Sequence, residues 1–148
     1  MAGTVVADTL QAASTSTLVL KNGVANTPPT VQDSAGTQIG TFCRAWVNFD
    51  GTGTFSPNPS TTKIRASFNV SSITDNGTGD YTVNFTNALP DANYSPQITG
   101  DASGVRLNNF GRVANNLAVP TVSALRVFFC DDQSTAVDPT YANVAIFR

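Results

Sequence analysis

The sequence predicts an all-β chain, and three observations carry that prediction. Every acidic residue is Asp and none is Glu, so a strong helix former is missing while strand- and turn-favouring Thr, Val, Ser and Asn dominate. Apolar residues fall on every second position in several short runs, the period of a half-buried strand. Between those runs lie Gly-, Asn-, Asp- and Pro-rich clusters of turn chemistry. Short strands separated this way fit a sandwich or a small barrel. The chain is read as an antiparallel β-sandwich, a jelly-roll-like knob over residues 41–148, preceded by an extended N-terminal arm over residues 1–40.

The arm is small and polar, with short apolar runs: Val5-Val6, Leu18-Val19-Leu20, Val24, Val31 and Ile39. Asn22-Gly23 suits a tight hairpin turn, and residues 8–13 suit one helical turn. Pro28-Pro29 forbids regular structure, and Asp33-Ser34-Ala35-Gly36 reads as a turn. Such a segment lacks the apolar area for a core of its own, so it is either disordered or takes order from the knob, from sister chains or from a partner. Leu18, Val19, Leu20 and Val31 are its candidate anchoring residues.

In the knob, residues 42–50 form the first strong strand, with Cys43, Ala45, Val47 and Phe49 on one face and Phe42, Arg44, Trp46 and Asn48 on the other. Both faces carry large apolar groups, so both are expected to be partly covered. Residues 56–60 hold two prolines and read as a loop. From Ile64, the alternation Ile64, Ala66, Phe68, Val70 predicts a buried face, with Arg65, Ser67 and Asn69 wet. The turn Asp75-Asn76-Gly77-Thr78-Gly79-Asp80 follows, its glycines suited to positive φ. Tyr81, Val83 and Phe85 then point inward, opposite Thr82, Asn84 and Thr86, completing a hairpin. Phe68, Val70, Val83 and Phe85 are therefore expected in the core. Further strands are expected over 94–100, from Val105, over 124–130 and over 141–147, with residues 108–116 irregular. The echo of Gly51-Thr52-Gly53 in Gly77-Thr78-Gly79 reads as two turns at strand ends.

The stretch RAWVNFDGTGT, then IRASFNVSSITDNGTGDYTVNF, then ALPDANY resembles a module that recurs in bacteriophage tail-fibre and minor virion structural proteins. The likeness spans residues 44–94, about a third of the chain, and TPPTVQDSAGTQIG before it is similar to the segment that leads into the module. It implies a β-rich, usually homotrimeric domain on the outside of a virion. The expectation is a trimeric fibre or decoration protein, on tail or capsid, bound to other virion proteins through its arm. No secretory leader is visible, which implies folding in the host bacterial cytoplasm.

Composition excludes several functions. There is no His, which removes Ser-His-Asp triads, Cys-His pairs and His-bearing metal sites. Acid–base chemistry would fall to Asp131 with Asp132 or Asp75 with Asp80, which read as turn formers. No enzyme and no cofactor is expected. Asp131, Asp132 and Asp138 offer oxygen ligands for calcium without any EF-hand spacing. Only eight Lys and Arg are present, at a net charge of −2, which argues against nucleic acid. The longest apolar run is far too short to span a bilayer. Cys43 and Cys130 read as free thiols. A host-surface glycan is the alternative partner: Trp46, Tyr94 and Tyr141 would stack on it beside Asn108, Asn109, Asn115 and Asn116.

Overall fold

A computed structural model describes residues 31–101, 110–113 and 119–148. Its strands are β1 (Val31–Gln32), β2 (Gln38–Gly40), β3 (Cys43–Phe49), β4 (Ile64–Phe68), β5 (Val70–Gly77), β6 (Asp80–Phe85), β7 (Ser95–Asp101), β8 (Phe110–Val113), β9 (Ala124–Cys130) and β10 (Tyr141–Phe147). All pairings are antiparallel. They form two four-stranded sheets, β4-β3-β10-β7 and β5-β6-β9-β8, and a separate β1-β2 ribbon.

The alternation read from the sequence decides which face of each sheet turns inward. Ala45, Val47 and Phe49 of β3 join Ala142, Val144 and Ile146 of β10 on one inner face. Ile73, Tyr81, Val83, Leu125, Val127 and Phe129 form the other. The two faces close into one apolar cluster, so the fold is a β-sandwich with a single core. Aromatic rings join the layers: Phe49 meets Tyr81 edge-on at 5.2 Å and Phe129 at 6.4 Å. Gly100 is required here, since a Cβ would lie 2.8 Å from the Phe129 ring.

The hairpin read at the centre of the sequence is only partly present. β5 and β6 pair as expected around residues 76–79, with positive φ at Gly77 and Gly79. Val70, Val83 and Phe85 are buried as expected. Phe68 is not: it is 54% exposed. The apolar run from Ile64 does not continue as one strand, because it breaks at Asn69, which adopts φ 55°. Asn tolerates this left-handed conformation better than other side chains that carry a Cβ. Its amide secures the corner: Nδ2 donates to the carbonyls of Arg44 and Asn87 at 3.1 Å each, and Oδ1 accepts from Asn87 N at 2.8 Å. The chain thereby leaves the first sheet after β4 and enters the second at β5. A bulge adds to the change. Phe49 opposes Ile64 while Asn48 opposes Ala66, so Arg65 is the extra residue and Ala66 and Phe68 turn outward with Trp46.

Two smaller corrections follow from long-range pairing. Phe110–Val113, expected to be irregular, forms β8 because β9 offers it a paired edge. Ser60, read as loop, exchanges backbone hydrogen bonds with Ile73. The helical turn expected at 8–13, the Asn22-Gly23 turn and the strand from Val105 lie outside the described residues.

Phe85→Ala is expected to cost about 3–5 kcal/mol in urea unfolding, and Asn84→Ala less than about 1.5 kcal/mol, the scale of its partly exposed hydrogen bonds to Ser72 and Thr74. At the corner, Asn69→Ala should be more damaging than Asn69→Gly by about 1 kcal/mol, because both lose the amide but only Gly relieves the positive φ.

Candidate interaction surface

The outer face of sheet β4-β3-β10-β7 is built by the same alternation that builds the core. Register lines its residues up in rows. Phe68, Trp46, Ala145 and Gln97 form one row, and Ala66, Asn48, Asn143 and Thr99 the next. Tyr141 and Phe147 stand on the same face at the two ends of β10. Trp46 is 40% exposed, Tyr141 is 50% exposed, and Phe147 is open to solvent. Between the aromatic groups, Asn48 Nδ2 donates to Asn143 Oδ1 at 2.6 Å.

Charge lies at the margins of this face, where Arg65 and Arg148 are ion-paired and Asp101 stands exposed opposite Tyr141. Arg65 lies over the Tyr141 ring at 4.2 Å and reaches Asp50 at 3.3 Å. Partial burial pushes the Asp50 carboxyl up, but hydrogen bonds from the Thr52 hydroxyl and N–H, with the Arg65 and Lys63 charges, hold it below its ordinary value. Beyond Phe147, Arg148 forms a two-pronged bond with Asp91, at 2.8 and 2.6 Å. Hydrogen bonding from Arg148, then from Asn93 N–H, lowers the Asp91 carboxyl to about 2.

The opposite outer face is different. On β5, β6 and β9 its polar side chains satisfy one another. Asn84 Nδ2 donates to the Ser72 and Thr74 hydroxyls, and Asn76 Nδ2 donates to Thr82 Oγ1. Arg126 grips Asp80 with two bonds, at 2.8 and 2.6 Å. This face is mostly polar and self-paired, with the partly buried Phe128 of β9 beside Asp80, whereas the first carries more exposed aromatic surface.

Of the residues proposed for glycan contact, the fold brings Trp46 and Tyr141 to one surface. Ala145 opposes Trp46, and Tyr141 stands four positions back along β10, a separation of about 13 Å at the strand rise. Tyr94 lies elsewhere. It packs edge-on against Phe85 at 6.1 Å, and its hydroxyl lies 3.1 and 3.2 Å from the Thr121 and Ala124 carbonyls. Burial pushes its phenol up to about 12. Val31 is exposed in β1, while Leu18, Val19, Leu20 and the asparagines at 108, 109, 115 and 116 fall outside the described residues.

Asp131 and Asp138, two of the acidic candidates, are hydrogen-bonded within the fold. Asp131 Oδ1 accepts from Gln133 N and Thr135 N, capping its own loop. Asp138 Oδ1 lies 2.7 Å from Gly79 N and 2.5 Å from the Tyr81 hydroxyl. Among the described residues, no group of three or more His, Cys, Asp or Glu could hold a metal ion, and no helix is long and apolar enough to cross a membrane. Cys43 is half-buried, Cys130 is buried, and both are free. Sequence reasoning missed Phe68, Asn143 and Phe147 as surface residues. Only the register across β4, β3 and β10 assembles them, and no local pattern encodes that register. Comparison with protein-family models, with curated proteins and with solved structures gives no match.

Because the folded Asp91 lies below its ordinary 3.8, the stabilisation from its pair with Arg148 is present above that value and is lost as pH falls towards about 2. Carboxyl NMR titration should place Asp91 near 2, and Arg148→Ala should return it towards 3.8. In a spectrophotometric titration, Tyr94 should ionise near pH 12, with Tyr94→Phe removing that step.

Proposed function

We propose that this chain is a non-enzymatic bacteriophage virion structural protein: a homotrimeric, jelly-roll-like knob on the outside of the particle, as a tail fibre, head fibre or capsid decoration, anchored through residues 1–40. The observation that carries the reading is the uncovered aromatic face. A fully exposed large aromatic presents on the order of 200 Å², so the exposed parts of Trp46, Phe68, Tyr141 and Phe147 amount to roughly 350 Å². The Asn48–Asn143 pair divides this surface, with Phe68 and Trp46 adjoining on one side and Tyr141 on the other, and exposed aromatic groups gathered on one sheet face often mark an interaction surface. An aromatic patch with no charge along its Phe68–Trp46–Ala145–Gln97 row suits an apolar surface better than a charged partner.

Two further points support the reading. The stretch that resembles virion proteins, residues 44–94, covers β3 to β6 and the approach to β7, the elements that found both sheets. The winding is compatible as well: β6, β7 and β8 fall in alternate sheets, as do β9 and β10. One observation favours a second reading, recognition of a host-surface glycan. Trp46 and Tyr141 flank the Asn48–Asn143 amide pair on the same face, which places stacking rings beside amide hydrogen-bonding groups.

Sedimentation equilibrium should give a mass near three times 15.5 kDa, and a monomer at micromolar concentration would sink the trimer. Trp46 is the single tryptophan, so its emission should shift to the blue as the trimer forms. Immunogold labelling of intact particles should decorate their exterior. A glycan array separates the two readings: binding that Trp46→Ala abolishes would favour recognition, and no binding favours structure.

A further inference from the structure

Among the described residues, the β1-β2 ribbon joins neither four-stranded sheet. Its backbone is well defined: Val31 opposes Gly40 and Gln32 opposes Gln38. Its turn is closed from within, as Asp33 Oδ1 accepts from Ala35 N and Thr37 N at 2.9 Å each. An isolated two-stranded ribbon is at best marginally stable in water. Its apolar side chains are also uncovered: Val31 is 42% exposed and Ile39 is 65% exposed. Only Thr41 and Phe42 link β2 to β3. Thr41 Oγ1 donates to the Arg148 carbonyl at 2.7 Å, tying that link to the end of β10. A span this short and tethered holds the ribbon at the end of its own sheet.

The aromatic face has the complementary deficit. A stable interface buries roughly 800 Å² on each partner, about twice the exposed aromatic area estimated above. Another apolar element has to complete it. The polar rows of β5, β6 and β9 are a poor seat for such an element, because an apolar side chain there would desolvate Asn84, Asn76, Arg126 and Asp80 without offering them a partner. The aromatic face carries no such cost along the Phe68–Trp46–Ala145 row. The ribbon's one charged residue, Asp33, is held in its own turn.

We propose that the β1-β2 ribbon of one copy seats Ile39 and Val31 on the Phe68–Trp46–Ala145 row of a neighbouring copy, an exchange of arms that covers the aromatic face on assembly. The inference rests on the trimer reading and names the element that completes its interface. It gives residues 31–40 a role in joining the copies, distinct from attachment to the particle.

The test uses the full chain carrying Cys43→Ser, to remove the half-buried thiol. In Ile39→Cys combined with Phe68→Cys, mild oxidation should give disulfide-linked multimers on a non-reducing gel. Ile39→Cys combined with Thr74→Cys, on the opposite sheet, should stay single-chain. Separately, Ile39→Asp should weaken self-association by about tenfold or more in sedimentation, the scale expected for a charge in place of a buried Ile side chain. It should also leave Trp46 open to a quencher at concentrations where the parent chain protects it. Two results overturn the exchange and leave the trimer standing: a trimer that forms no Ile39→Cys/Phe68→Cys link between chains, or one unchanged by Ile39→Asp. A parent chain that sediments as a monomer overturns both.

Discussion

The ring contacts of Phe49, Tyr81 and Phe129 couple the two layers. Phe49 belongs to one sheet, Tyr81 and Phe129 to the other, and their edge-on contacts at 5.2, 6.4 and 6.1 Å lie at the end of the core where β3 stops and β6 starts. Phe55, from the loop after β3, adds a fourth ring at 5.8 Å from Tyr81. Rings this large need backbone to withdraw around them. Gly51 and Gly100 provide that room, since a Cβ at Gly51 would lie 2.8 Å from the Tyr81 hydroxyl and one at Gly100 would meet the Phe129 ring. The Tyr81 hydroxyl, 2.5 Å from Asp138 and 2.9 Å from the Gly51 carbonyl, ties the β5-β6 turn region to the loop before β10. Burial, reinforced by the hydrogen bond with Asp138, pushes the Tyr81 phenol well above its ordinary value. A charged form at the centre of the cluster would be poorly solvated.

Given that core, the two outer faces divide the remaining chemistry between them. Strand alternation sends every second residue of each sheet outward, so composition alone decides what the outer faces present. On β5 and β6 those positions are Ser, Thr and Asn, short side chains that reach one another across strands and close a polar ladder. On β3, β4 and β10 they include Trp46, Phe68, Tyr141 and Phe147, all of them exposed. The asymmetry is a property of the whole sandwich: neither face is defined within one strand.

Periodicity and turn chemistry by themselves determined the fold class, most of the strands and most of the core. Ala45, Val47, Phe49, Val83 and Phe85 are inside because a period of two leaves them no other place once one face is buried. Gly77 and Gly79 adopt the positive φ that their turn was read to need. The apolar run through Phe68 and Val70 was legible as alternation but not as two strands in two sheets. A residue in the left-handed conformation interrupts a strand without disturbing the apolar pattern on either side, and a bulge at Arg65 exchanges inside for outside in a single step. Of the candidate surface, Trp46 and Tyr141 were legible as aromatics among polar residues, but their sharing of a face was not. Tertiary structure alone decided that, because the face is assembled by pairing β3 with β10, with Asn48 and Asn143 95 positions apart in sequence. Strand register over such separations is fixed by the packing of the shared core, whose partners no local stretch of sequence contains.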